Sequence, residues 1–362
     1  MKRTLTILLV LLMAVAFVYA NGSSEASAAS GVAKIGVSMP TQSLQRWNQD
    51  GANMKNQLES AGYKVDLQYA GDNDIPTQVA QLENMIMGNC RVLVIASIDG
   101  SALTEVLKSA KEKKIPVIAY DRLIMNSDAV TYYATFDNYK VGTIQGGFIR
   151  DALDLDHAKG PFNIELFTGS SDDNNVNFFF GGAMSILKPY IDSGKLVVKS
   201  GQTTLAQCAT PNWSTEEAQK RMENLITANS YGPKGVKLDA VLSSNDSVAN
   251  GITNALVAAG YTKDNFPVLT GQDCDKPAVK NMLQGIQSMS IFKDTRTLAS
   301  KVVGMVNSIL KGTTVEVNDT KTYNNGTGVI PSYLCDPVFA TVKNYKQLLI
   351  DSGYYTEADL KI

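Results

Sequence analysis

The side chains best suited to close polar chemistry in this sequence stand just after runs of Val, Ile and Leu. "KIGVSM" is followed by Gln42, Arg46 and Trp47, "VIAY" by Asp121 and Arg122, and "IELFTG" by Asp172, Asp173, Asn174 and Asn175. Further along, Trp213 precedes "EEAQKRMEN", which contains Asn224; "AVLSSN" runs into Asp246, "VLTGQ" into Asp273 and "SMSIF" into Lys293. Each has an ordinary explanation by itself. Asp121 and Arg122 make a solvated strand-end pair, "SSDDNN" caps a helix, the tryptophans pack a core or staple a helix, and Asn224 is exposed. Together they supply carboxylate and amide acceptors, guanidinium and ammonium donors, and two indole planes. That set is complementary to a pyranose, whose hydroxyls donate and accept and whose C–H faces stack on aromatic rings. An anionic ligand needs a net positive pocket or a glycine-rich cradle. The aspartates argue for a neutral one.

Catalysis is the competing reading. Two opposed carboxylates can hydrolyse a glycoside, and Asp121 with Asp246 or Asp273 is the available pair. Each stands beside Arg, Asn or Gln, which favours an ionised acceptor over a proton-donating acid. The single histidine, His157, lies in the charged stretch "DLDHAKG", away from any nucleophile. No Walker or G-x-G-x-x-G element follows a strand. One histidine and four cysteines leave little material for a metal. The expectation is a binding protein that needs neither cofactor nor metal.

Positioning these residues requires sheets. From Lys34, short β-rich runs alternate with amphipathic stretches: "KIGVSM", "KVDLQYA", "VLVIAS" and "PVIAYD" as strands, with "QRWNQDGANMKNQLESAG", "IPTQVAQLENMIMG" and "GSALTEVLKSAKEKK" as helices between them. Continuous apolar strands separated by helices predict a parallel sheet covered on both faces. The second half repeats the order through "FNIELF", "LVVKSGQ", "DAVLSSND" and "FPVLTGQD". "LENMI", "VLVIASIDGSAL" and "VIAYD" match "MENLI", "AVLSSNDSVANG" and "VLTGQD", so Asp99 answers Asp246 and Asp121 answers Asp273. The reading is an α/β chain of two doubly wound lobes. Ligands sit outside the carboxyl ends of such strands, here in a cleft between lobes.

The chain has 362 residues, 44% hydrophobic and 19% charged, which suits two domains of about 150 residues. A formal charge of −2 and no Lys/Arg stripe give no reason to expect nucleic acid. "MKR", an apolar run and "VYA" fit a signal peptide over residues 1–20, cleaved near Ala20, with residues 21–30 a flexible lead-in. A membrane anchor is the alternative, but the apolar run is short for a span. Removing Lys2 and Arg3 takes the charge from −2 to −4. No cysteine lies near the cleavage point to carry a lipid. In an oxidising compartment Cys90, Cys208, Cys274 and Cys335 allow three complete pairings, and Cys208 with Cys274 near the cleft is one possible bridge. Cys90 reads most simply as a buried thiol.

The motifs "MPTQSLQRW", "QLENMI", "VIAYDRLI", "YYATFDNYKVG", "DDNN", "GQD", "FKDTR" and "VIPSYL" carry a resemblance. The mature chain resembles the periplasmic sugar-binding proteins of ABC importers, specifically the multiple-monosaccharide-binding, ChvE-like group, with xylose-binding proteins as near relatives. The resemblance implies a type I periplasmic-binding fold with a three-segment hinge near Thr135–Asn138, Gln287–Asp294 and Ser332–Asp336. It divides the chain into an N-terminal lobe of residues 31–136 plus 294–333 and a C-terminal lobe of residues 137–293 plus 334–362. It implies a sugar held by Arg46, Trp47, Asp121, Arg122, Asn174, Trp213, Asn224, Asp246, Asp273 and Lys293, with Gln42 where its closest members carry lysine. It further implies a monomer delivering an aldohexose or aldopentose to an ABC permease, or presenting it to a membrane sensor or chemoreceptor. A LacI-type repressor core shares the lobes but carries an N-terminal helix-turn-helix where this chain has its leader.

Overall fold

In the computed structural model, which describes residues 31–361, the apolar runs become strands and the amphipathic stretches become the helices that cover them. The expected signal peptide and lead-in, residues 1–30, lie outside the described residues. The first part of the chain forms β1 (Lys34–Met39), α1 (Gln45–Ser60), β2 (Lys64–Tyr69), α2 (Ile75–Met87), β3 (Val92–Ile95), α3 (Thr104–Glu112), β4 (Val117–Tyr120) and β5 (Val130–Phe136). The second forms α4 (Asn138–Ala152), β6 (Phe162–Phe167), α5 (Asn175–Asp192), β7 (Leu196–Val197), α6 (Thr215–Asn229), β8 (Ala240–Ser243), α7 (Asp246–Ala258), β9 (Val268–Leu269), α8 (Lys276–Gln284) and β10 (Ser290–Phe292). Then come α9 (Thr295–Lys311), β11 (Ser332–Cys335), β12 (Val338–Ala340) and two short helical segments, Lys346–Asp351 and Glu357–Leu360.

The first sheet runs β2-β1-β3-β4-β5-β11, every pair parallel. The second runs β7-β6-β8-β9, also parallel. It is extended by a bridge from Gln272 to Ile291 on β10, which pairs antiparallel with β12. Both sheets therefore repeat one strand order. Alternation of side chains across the pleat covers both faces. In β3, Val92 and Val94 join the cluster formed with Met54 and Leu58 of α1 and Val302 of α9, while Leu93 and Ile95 face Leu82, Met85 and Leu107 of α2 and α3. In β8, Val241 joins Met222 and Ile252 of α6 and α7, and Ala240 and Leu242 face Ile149 and Leu187 of α4 and α5. Each fully buried aliphatic side chain contributes about 1.5–3 kcal/mol.

The chain passes between the sheets three times, between Phe136 and Asn138, Phe292 and Thr295, and Cys335 and Val338. Because β11 stays paired with β5 to Cys335, the third passage follows Cys335 rather than residue 333. Two passages end in an aspartate cap: Asp137 accepts from Lys140 N at 2.9 Å, and Asp294 from Arg296 N at 3.0 Å. All four cysteines are free and buried; Cys208 and Cys274 belong to different apolar clusters, so the bridge between them does not form. Among the described residues no helix is long and apolar enough to cross a membrane.

Candidate functional site

The carboxyl ends of the two sheets face each other across a cavity lined by residues of both. Its first wall carries Arg46 and Trp47, from the opening turn of α1, and Asp121 and Arg122, which follow β4. The second carries Asp173, Asn175 and Phe179 at the start of α5, Trp213, Asn245, and the loop after β9 with Gln272, Asp273 and Asp275. Lys293, in the passage from β10 to α9, also lines it. Asp121 and Asp273 are equivalent in backbone as well as position. Both adopt left-handed φ, 60° and 96°, and each N–H donates at 2.8 Å to the neighbouring strand, to Ala134 O and Ile291 O respectively. Such φ values are costly for aspartate and are held by the loops around them.

Adjacent in sequence, Asp121 and Arg122 do not pair with each other. Asp121 faces Arg46 Nη2 at 3.1 Å and Lys293 Nζ at 3.9 Å, whereas Arg122 Nε lies 3.0 Å from Asp173. Arg46 also meets Asp50 at 2.8 Å and reaches across the cleft to Asp273 at 3.3 Å, which Lys293 approaches at 3.0 Å. Burial alone would lower the Arg46 guanidinium, but Asp121, Asp50 and Asp273 outweigh it and hold it well above its ordinary value. Burial likewise works against Asp121, and Arg46, Lys293 and Arg122 overcome it, keeping that carboxyl below its usual range. Asp173 goes the other way, raised by burial that Arg122 only partly opposes. Asp275 is pushed up to about 7, by burial first and then by the charge of Asp273.

Aromatic groups are set by equally local features. Trp47 lies under two guanidinium groups, Arg46 Cζ at 4.6 Å and Arg122 Cζ at 5.1 Å from its ring centroid, so it orients donors as well as offering a plane. Trp213 follows Asn212 in left-handed conformation, φ 56° after 55°. Its ring rests on Gly169, where an added Cβ would stand 2.1 Å from Trp213 Cη2. Only glycine permits that approach.

Seven polar atoms of cavity-lining residues are buried without a hydrogen-bond partner among the described residues. They are Arg46 Nη2, Trp47 Nε1, Asp121 Oδ2, Arg122 Nε, Trp213 Nε1, Gln272 Oε1 and Asp275 Oδ1. The two arginine atoms and the Asp121 oxygen are close to opposite charge, yet not aligned for a hydrogen bond. Orphaned buried groups cost about 1–3 kcal/mol each, and most proteins carry few. The remaining four, on Trp47, Trp213, Gln272 and Asp275, have no counter-group and lie on residues that line the cavity, as suits a ligand rich in donors and acceptors.

Of the residues expected from sequence, the fold brings together Arg46, Trp47, Asp121, Arg122, Trp213, Asp273 and Lys293. Four are placed elsewhere. Gln42 is exposed, and its carbonyl accepts from Asn48 Nδ2 at 2.8 Å. Asn224 is exposed on the outer side of α6, because Ala218, Met222 and Leu225 take the inward face. Asn174 stands at the N-cap position of α5 half-buried and without a capping hydrogen bond, and the next residue, Asn175, turns inward. Asp246 is fully buried beneath the cavity, where its carboxylate accepts from Ser290 Oγ, Gln287 Nε2 and Asp275 N at 2.8–2.9 Å. Its predecessor Asn245 lines the cavity while capping α7 through Val248 N. Asp173 and Asn175, noted in the sequence only within the "DDNN" run, also line the cavity, and Leu44, Phe179, Asn245, Ser247, Gln272 and Asp275 are lining residues that the sequence reading missed. Among the described residues no group of His, Cys, Asp and Glu is arranged to hold a metal.

The family model described as periplasmic binding protein domain matches residues 35–314. The chain belongs to the periplasmic binding protein family. It is 54% identical to the multiple sugar-binding periplasmic protein SbpA of Azospirillum brasilense, over 90% of this chain and 91% of that one. It is 53% identical to the multiple sugar-binding periplasmic receptor ChvE of Rhizobium radiobacter, over 90% and 92%. A solved structure of an ABC transporter solute-binding protein from Clostridium phytofermentans, with bound β-D-glucose, superposes with a TM-score of 0.88 at 64% identity, covering 91% of this chain and all of that one. The two repeated sheets and three passages are thus the type I arrangement of that family, and the cavity occupies its interlobe cleft.

Proposed function

We propose that this protein is an exported receptor for one neutral monosaccharide, an aldohexose or aldopentose such as glucose, galactose, xylose or arabinose, which it delivers to an ABC permease. The observation that carries this reading is one cavity whose charges are already matched and whose lining residues Trp47, Trp213, Gln272 and Asp275 each keep a buried polar atom without a partner. Arg46, Arg122 and Lys293 each face a carboxylate, so an anionic ligand would find no spare cation. Asp121 and Asp273 accept from hydroxyls, the arginines, Lys293 and the indole N–H groups donate, and Phe179 and Trp213 present apolar surface.

Hinge bending at the three passages opens and shuts the cleft. A ligand favours the shut form because contacts to the second wall exist only there. The shut form docks on the permease, which uses ATP hydrolysed elsewhere. Export through a signal peptide cleaved near Ala20 places the receptor in the periplasm. A thermal-shift screen of neutral monosaccharides, with disaccharides, polyols and sugar acids as controls, tests the reading. Stabilisation by one or more aldoses is expected. No response to any aldose, alongside turnover of a glycoside, would replace binding with enzymatic function.

A further inference from the structure

The last segment of the chain contains two consecutive tyrosines outside the cavity, Tyr354 half-buried and Tyr355 buried. Tyr355 is 4% exposed and belongs to the apolar cluster of the second lobe, with Val279 and Met282 of α8 and Leu349 and Leu360 of the terminal segment. An ion pair from Lys276 to Asp359 at 2.5 Å fastens the same segment to α8. Its hydroxyl serves both lobes at once. It accepts from Gln45 Nε2 at 2.7 Å and Gln49 Nε2 at 3.2 Å, both on α1 of the first lobe, and donates to Cys274 O of the second at 2.9 Å.

These partners adjoin the cavity on each side. Gln45 immediately precedes Arg46; Cys274 lies between Asp273 and Asp275 and shares the left-handed stretch of that loop, with φ 51°. Gln45 Oε1 also accepts from Lys276 N at 3.2 Å. Beside it, Tyr354 hydrogen-bonds Gln49 Oε1 and Thr295 Oγ1, each at 3.3 Å. None of these bonds involves an atom that faces the ligand, yet opening the lobes must break those from Tyr355 to α1.

We infer that Tyr355 is a positioning residue that latches the cleft shut from outside the sugar site, stabilising the closed form for every ligand alike. The inference rests on the monosaccharide-receptor reading for its affinity readout. A latch differs from a ligand contact in a measurable way. Apparent affinity scales with the closed fraction, so weakening the latch divides all affinities by one factor, whereas removing a contact alters the order among sugars.

The experiment uses Tyr355→Phe, which keeps the ring packed and removes only the hydroxyl. Calorimetry against glucose, galactose, xylose and arabinose should show each affinity that is measurable in the wild type falling about tenfold, with their ratios preserved. Small-angle scattering of the sugar-free proteins should show a larger radius of gyration for Tyr355→Phe than for wild type, the difference vanishing at saturation. Gln45→Ala approaches the bond from the other lobe. The double variant should lose less than the two single losses combined. Unchanged affinities, or a loss confined to some sugars, would overturn the latch. If the wild type binds no sugar, the receptor reading fails and the scattering comparison alone decides the latch: equal radii refute it.

Discussion

Replacing Asp121 by alanine is the sharpest test of how the cavity works. The carboxylate faces Arg46 Nη2 at 3.1 Å and Lys293 at 3.9 Å, with one oxygen left without a hydrogen-bond partner. Breaking a buried ion pair by removing one member costs about 3–5 kcal/mol when the other is stranded. Neither cation is stranded here. Arg46 keeps Asp50 at 2.8 Å and Asp273 at 3.3 Å, and Lys293 keeps Asp273 at 3.0 Å. The stability loss is therefore expected at or below the low end of that range, about 2–3 kcal/mol, measured by urea denaturation. Binding loses more than a neutral contact would, because a hydrogen bond to a charged acceptor is worth about 1.5–3 kcal/mol. One such bond lost gives an affinity about 10- to 150-fold weaker by calorimetry. A folded Asp121→Ala protein that binds sugar within threefold of wild type would refute the placement of Asp121 against the ligand.

Other consequences concern the neighbours. Gly169→Ala places a Cβ inside the Trp213 ring position, so it should weaken sugar binding about tenfold or more, as Trp213→Ala should, in the same titration. Asn224→Ala and Gln42→Ala remove exposed side chains and should leave affinity unchanged, whereas Asn175→Ala, which cuts the bond from Asn175 Nδ2 to Asp121 O at 2.8 Å, should weaken it. Asp275 has a folded-state carboxyl raised to about 7 from 3.8, so the folded chain holds that proton more tightly than the unfolded one. Its contribution is full below about pH 4 and is lost as pH rises through about 7. Thermal melts of Asp275→Asn should therefore gain on wild type as pH rises from about 4 to about 7; a difference that does not change with pH would contradict this.

The sheets were legible because buried parallel strands need continuous apolar runs and the helices between them need one apolar face. The equivalence of Asp121 and Asp273 was legible for the same reason, since "VIAYD" and "VLTGQD" repeat one strand and its end. What the sequence obscured is direction. Asn174 and Asn175, or Asn245 and Asp246, differ by one residue at a helix start, where a single step turns the side chain by about 100°. Capping geometry decides which of them faces the ligand. Asp99 and Asp246 show the same limit, matched in sequence but unlike in place: Asp99 caps Ser101 N at 2.6 Å, while Asp246 is fully buried. Partnership was hidden too. Asp121 beside Arg122 suggests a pair, yet their counter-charges, Arg46 and Asp173, come from other elements. Tyr355 meets Gln45 across 310 positions, a contact that no local pattern announces.

The central claim is that the charge-matched cavity between the lobes holds a neutral monosaccharide. Isothermal titration of the purified mature chain with D-glucose and D-xylose, each against its sugar acid, tests it most directly. One-to-one saturable binding of at least one aldose, abolished or strongly weakened in Asp121→Ala and tighter than binding of the matching acid, is the predicted result. Saturable binding of the acid alone, or of no sugar at all by a folded protein, would contradict it.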